Sequence, residues 1–176
     1  MSKRRSDLSP SPVTRPTIPW SQPGILVGVD GSEPSHAALS YAADLARKLG
    51  LPLHVLAVWD NPSLLWGDPY TYFGEPEVDF EANAKQLVNA EIARVFPDEV
   101  PDWVTAAAWP GSAARTLIDA SADAEMLVVG SRGHGGFAGL LLGSVSSACA
   151  SHAHCPVVVV RDRDHVADPG AAAGRS

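Results

Sequence analysis

Apolar residues in this chain fall into short continuous runs separated by stretches with helical spacing. GILVGVD (24–30) is rich in Ile and Val and ends at a Gly-Ser turn, and LPLHVLAVW (51–59), WVTAAAW (103–109), MLVVG (126–130) and PVVVV (156–160) repeat the pattern. Each run predicts a strand, and the unbroken apolar character of LVVG and VVVV predicts burial on both sides of a sheet. Helical patterns lie between them. The first opens at Ser32, whose hydroxyl can cap first-turn N–H groups, and has Pro34 where a missing donor costs nothing. It turns Ala38, Tyr41 or Ala42, Leu45 and Leu49 inward until Gly50 stops it. A second runs from Phe80 through Ala84, Leu87, Val88, Ile92 and Val95 to Phe96. A third, capped by Ser112, directs Leu117 and Ile118 inward, and a fourth spans about Ser144 to Ala153. Five strands alternating with four helices predict an α/β fold, a parallel sheet with helices on both faces. Ligands of such sheets sit beyond the carboxyl ends of the strands, which points to Asp30, to Val58 and Trp59, and to the loop after Gly130.

Composition sets limits on this picture. The 176 residues suit one domain, and 45% hydrophobic against 19% charged residues is enough for a packed core. Pro10, Pro12, Pro16, Pro19 and Pro23 among Ser and Thr predict a disordered tail over 1–23, and 162–176 reads the same way, leaving 24–161 as the folded domain. The net charge is -7, while Lys3, Arg4, Arg5 and Arg15 sit in the first tail, so the body is more acidic than the whole. An acidic body disfavours nucleic-acid binding, yet leaves room for a small anion in a nest of backbone N–H groups. Cys149 and Cys155 make no disulfide framework and suggest a reduced, cytoplasmic location. No apolar segment follows the basic start, which argues against a signal peptide. The stretch from Gly133 to Val160 lacks Asp, Glu, Lys and Arg, but its glycines, histidines and Pro156 read as loop, helix and strand rather than a membrane span. The 60–79 loop carries five acids and no base, and loops of that length are usually functional or mobile.

The candidate chemistry lies in GSRGHGGFAGLLLGSVSS (130–147), where Gly130, Gly133, Gly135, Gly136, Gly139 and Gly143 place six glycines in fourteen positions. Glycine permits positive φ and close backbone approach to a ligand. The loop enters a helix at Ser144, whose first N–H groups and dipole favour a phosphate, and Ser144 and Ser146 bring hydroxyls to the same turn. A Walker P-loop does not fit, because Gly136 stands where Lys is required. GHGGFA (133–138) matches a relaxed dinucleotide fingerprint, but it follows the fourth strand and has no ribose-binding acid about 20 residues on. His152, His154, Cys149 and Cys155 fit no standard zinc spacing, and a small buried Cys beside Pro156 explains them better. G-x-S-x-G, HExxH and CxxC do not occur, so support for a catalytic centre is weak.

Gly130-x2-Gly133-x9-Gly143-Ser144 resembles the G-2x-G-9x-G-[S/T] ATP-binding signature of the universal stress protein family. VGVDGSEPSHAAL (27–39), MLVVGSRGHGG (126–136), GSVSS (143–147) and HCPVVVVR (154–161) resemble the same family in the same order, covering roughly 24–161. The resemblance implies a five-stranded parallel sheet of order 3-2-1-4-5, usually dimeric. It further implies an ATP site, with Mg²⁺ as a possible companion. In that site Asp30 lies near adenine and ribose, and Val58 contacts the adenine. Val129, Gly130, Arg132 and Gly133 lie against ribose and phosphates, and Gly143, Ser144, Val145 and Ser146 hold the phosphates. No residue is expected to ligate a metal or act as a catalyst. The family often has Asp before the fourth strand, where this chain reads Ala124-Glu125. A homodimer through Val157, Val158, Val159 and Val160 would cover the exposed edge of the fifth strand. The resulting expectation is a cytoplasmic, nucleotide-dependent stress regulator. The alternatives are a slow ATPase in the same pocket, a cyclic AMP binder, and a nucleotide-free protein-interaction module.

Overall fold

The computed structural model describes residues 20–59, 79–133 and 141–161. The bodies of both expected tails, the acidic 60–78 loop, and Gly135, Gly136 and Gly139 lie outside the described residues. Five strands form one sheet: β1 (Ile25–Val29), β2 (Leu53–Trp59), β3 (Val104–Pro110), β4 (Met126–Gly130) and β5 (Val157–Val160). They alternate with α1 (Glu33–Leu49), α2 (Phe80–Val95), α3 (Ala113–Ala120) and α4 (Ser144–His152). The order is β3-β2-β1-β4-β5 and every neighbouring pair is parallel. Most boundaries fall within one or two residues of the sequence expectation. A short 3₁₀ turn over Ser121–Asp123, which the apolar pattern does not reveal, leads into β4.

Period-two alternation divides the strands between two cores. Ile25, Val27, Val29, Leu53, Val55, Ala57 and Val128 face α1 and α2, while Leu26, Leu56, Leu127 and Val129 face α3 and α4 with Leu117 and Cys149. Val27 sits between Val55 of β2 and Val128 of β4 at the centre of the sheet. Ile25, Leu26 and Val27 are wholly buried, and burial of such side chains contributes about 1.5–3 kcal/mol each.

The helices begin and end for identifiable reasons. Ser32 caps α1 by accepting the Ser35 N–H, Pro34 lies in the first turn, and Gly50 closes the helix in the left-handed conformation (φ 66°). Asp79 caps α2 by accepting the Ala82 N–H at 2.9 Å. Ser112 occupies the cap position of α3, but its hydroxyl makes no capping bond. The buried stripe of α1 is Ser35, Ala38, Leu39, Ala42, Ala43 and Ala46, mostly small residues that let the helix lie close to the sheet. Tyr41 and Leu49, expected as inward positions, are exposed: Tyr41 lies beside that stripe, and Leu49 is the last residue of the helix. Glu91 of α2 is buried and compensated: His36 Nδ1 lies 2.9 Å from its Oε2, and Arg94 donates to its Oε1 at 3.2 Å. Arg94 also reaches Glu33, so α2 is tied to the first turn of α1.

At the amino ends of β2 and β3 the segment before β1 is clasped to the sheet. Trp20 stacks on His54, with ring centroids 4.6 Å apart and planes 7° apart. His54 Nε2 donates to the Gln22 carbonyl at 2.9 Å, and its Nδ1 accepts from the Thr105 hydroxyl at 2.7 Å. Trp20–Pro23 therefore belong to the described structure, although composition assigns them to the tail. A cavity of about 450 Å³ beside this clasp is lined by Trp103 and Asp102 as well.

Burial lowers the pKa of His54 below its ordinary 6.5, opposed in part by its bond to Gln22. The unfolded chain therefore binds a proton more readily than the fold. The contribution of His54 is complete above 6.5 and is lost as pH falls through the folded-state value. The unfolding free energy of the native chain, measured with urea, is expected to drop between about pH 7.5 and 5.5, by at most about 1.4 kcal/mol per pH unit from this group. A His54→Gln chain is expected to be less stable at pH 7.5 and to show a shallower slope. Parallel slopes would overturn the assignment.

Candidate functional site

The order of the sheet reverses at β1, which has β2 on one side and β4 on the other. A crevice at the carboxyl ends of strands is expected at such a switch point, and a cavity of about 480 Å³ occurs there. Its walls come from the α3/α4 side of the sheet. Gly28 of β1, Leu56 and Val58 of β2, Val129 of β4, Leu117 of α3 and Val145 of α4 form an apolar slot. Asp30, Ser35, Arg132, Gly133 and the start of α4 bring polar groups to it.

Asp30 follows β1 and is held by the turn it begins. Its Oδ1 accepts the Ser32 N–H at 3.0 Å and the Ser32 hydroxyl at 2.6 Å. The Asp30 N–H donates to Ser35 Oγ at 3.3 Å, and that hydroxyl donates to the Ser32 carbonyl at 2.9 Å. Asp and Ser side chains favour this kind of local bonding at turns. The carboxylate is thus oriented before any ligand arrives. Gly133 passes so close to Asp30 Oδ2 that a side chain at 133 would displace the carboxylate.

At the end of β4, a Cβ on Gly130 would lie 2.6 Å from the Pro34 carbonyl oxygen and 2.9 Å from Ser35 N. The glycine is required here by the close approach of two backbones. Among the described glycines of the loop none has a positive φ, so proximity rather than conformational freedom accounts for Gly130, Gly133 and Gly143. Gly143 is extended (φ -71°, ψ 166°) and stands at the N-cap of α4 with no side chain to cap it. Its own N–H donates to the Ser131 carbonyl at 2.8 Å. The opening turn of α4 therefore meets the cavity without a side-chain cap, leaving an electropositive helix end there.

All ten residues singled out from the sequence line this cavity: Asp30, Val58, Val129, Gly130, Arg132, Gly133, Gly143, Ser144, Val145 and Ser146. Two details differ from expectation. The Ser146 hydroxyl, read as a donor for a ligand, donates instead to the Gly130 carbonyl at 2.5 Å and is buried, so the residue brings its N–H to the first turn and uses its side chain to latch α4 to β4. Trp59 lies on the opposite face of β2 from Val58, stacked on Phe80 with centroids 6.4 Å apart, and does not line the cavity. Gly28, Leu56, Ser35, Ala113 and Leu142 line it without having been selected. Period two would have found the first pair, because Gly28 shares a face with Asp30 and Leu56 shares one with Val58. Cys149 is a core residue beneath α4, and burial pushes its thiol up to about 11.

The family model for the universal stress protein family matches residues 24–161. Universal stress protein Rv2623 of Mycobacterium tuberculosis is 36% identical over 155 residues, which cover 81% of this chain and 49% of that protein. The chain thus spans about half the length of the curated relatives it matches. Among solved structures, a universal stress protein in complex with cAMP aligns over 78% of this chain and 96% of its own, with a TM-score of 0.59 and 21% identity. A universal stress protein from Archaeoglobus fulgidus in complex with dAMP aligns over 80% and 98%, with a TM-score of 0.54 and 19% identity. These likenesses establish the fold.

The contact of Gly130 with α1 gives a direct stability test. Gly130→Ala is expected to destabilise the chain by roughly 1–3 kcal/mol, because the neighbouring atoms are backbone and cannot rotate away. Urea unfolding measures this, and an unchanged midpoint would overturn the packing account.

Proposed function

This chain belongs to the universal stress protein family, and we propose that it binds an adenine nucleotide, ATP in the reading of its Gly-rich signature, in the cavity at the carboxyl ends of β1, β2 and β4. The observation that supports this most is the convergence on one cavity of an apolar slot, an oriented carboxylate, an arginine and an uncapped helix N-terminus. In this reading the purine lies between Val58, Leu56, Leu117 and Val129, whose surfaces suit a flat apolar face. Asp30 accepts from a ribose hydroxyl or the adenine amine. The phosphates lie against Gly130, Arg132 and Gly133 and meet the N–H groups of Ser144, Val145 and Ser146. The relatives named as complexes with cAMP and dAMP support the same ligand class.

Holding rather than hydrolysing is the favoured role. Asp30 is the one carboxylate among the described lining residues, and its Oδ1 is already engaged by Ser32. A water-activating base would need freedom to reach the attacking water. The protein then acts as a nucleotide-dependent component of a stress response in the cytoplasm, with 24–161 as its functional domain. A homodimer through β5 completes the proposal. Among the described strands β5 pairs only with β4, so its outer edge presents unpaired backbone groups on a Val-rich strand.

Gly143→Glu tests the site. A Cβ at 143 meets only ordinary contacts of 3.4 Å or more, so the fold is expected to survive. The new carboxylate would occupy the end of α4 and weaken ATP binding by about 100-fold or more. Calorimetric titration of the full chain measures this, and retained affinity would sink the assignment. For the dimer, Val158→Lys is expected to give monomer by light scattering, with circular dichroism confirming the fold; an unchanged dimer removes β5 as the interface.

A further inference from the structure

We infer that the cavity selects its ligand by charge, accepting adenine nucleotides that present no more than about two negative charges and discriminating against an uncomplexed triphosphate, which carries about four. The inference rests on the adenine-nucleotide reading above. A monophosphate, a cyclic monophosphate and a Mg²⁺-complexed triphosphate fall within the limit.

The positive charge at the site is small and can be counted. Arg132 is the one Lys or Arg among the described lining residues, and Asp30 is there with the opposite sign. The N-terminus of α4 adds about half a positive charge. The other described residues near this end of the sheet supply little more. Among those that follow Gly133, residues 141–160 contain no Lys or Arg. The turn after β1 leads to Glu33, whose partner is Arg94. The turn after β3 leads to Arg115, which faces Asp119 at 3.8 Å. Arg161 follows β5 and is exposed.

One phosphate group can therefore be balanced by Arg132 and the helix end, while further phosphates find no second Lys or Arg among the described lining residues. The walls of Leu56, Val58, Leu117 and Val129 lower the local dielectric, which magnifies the cost of charge left without a partner. A divalent cation carried in by the nucleotide removes that cost without any metal ligand from the protein.

Calorimetric titration of the full chain with AMP, cyclic AMP and ATP in EDTA, and with AMP and ATP in excess Mg²⁺, tests the inference. Mg²⁺ is expected to tighten ATP by at least about tenfold and to leave AMP within about twofold. Leu142→Arg adds a cation at a lining position and is expected to raise the affinity for ATP in EDTA by at least about tenfold, with a smaller gain for AMP. ATP in EDTA binding as tightly as AMP would overturn charge selection and leave the nucleotide reading intact, as would a Leu142→Arg chain with unchanged discrimination. Binding of none of these ligands under either condition would overturn the nucleotide reading itself.

Discussion

Where β4 ends, its backbone runs against the first turn of α1 with no space between them for even a methyl group. Much of the molecule is organised around this approach of Gly130 to Pro34 and Ser35. The next residue, Ser131, donates to the Val160 carbonyl at 2.7 Å and accepts from the Gly143 N–H, so one short stretch joins α1, β5 and the entry to α4. The Ser146 hydroxyl closes the arrangement by bonding to the Gly130 carbonyl. Had the strand been held farther from α1, the opening turn of α4 would point elsewhere, and the slot between β1 and β4 would lose its polar end.

The chemistry of the cavity follows from how these elements meet. The strands contribute an apolar surface because they are buried on both faces, and at the cavity they offer Gly28, Leu56, Val58 and Val129. Polarity must then come from the turns: the Asp30–Ser32–Ser35 bonds after β1, Arg132 after β4, and the backbone of α4. Most of these groups are fixed by partners within the protein, which favours binding with little rearrangement. In the proposed reading the same fixation suits Asp30 to holding a ligand.

Much of this was legible in the amino-acid sequence. Five apolar runs were sufficient for the strands, and the alternation of strand and helix implied a parallel sheet with helices on both faces. The spacing of Gly130, Gly133, Gly143 and Ser144 led to the residues that now share one cavity. What was not legible depended on direction. Val58 and Trp59 are neighbours in sequence, yet the pleat sends them to opposite cores. Tyr41 satisfies helical spacing as well as Ala42 does, and the narrow seat of α1 against the sheet decides between them. Ser146 carries a donor that a pattern assigns to a ligand, but the nearest acceptor is the Gly130 carbonyl. His54 carries no motif at all, because its role is defined by Trp20, Gln22 and Thr105, residues distant from it in sequence.

The clasp of Trp20 on His54 sits at the amino ends of β2 and β3, while the cavity opens at the carboxyl ends of the strands. A strand of seven residues such as β2 separates two such ends by about 23 Å. The molecule therefore has two poles: the incoming chain is moored at one, and the cavity opens at the other. The point at Trp20 where the chain joins the sheet lies a strand's length from the cavity, so the mooring and the cavity can be altered independently.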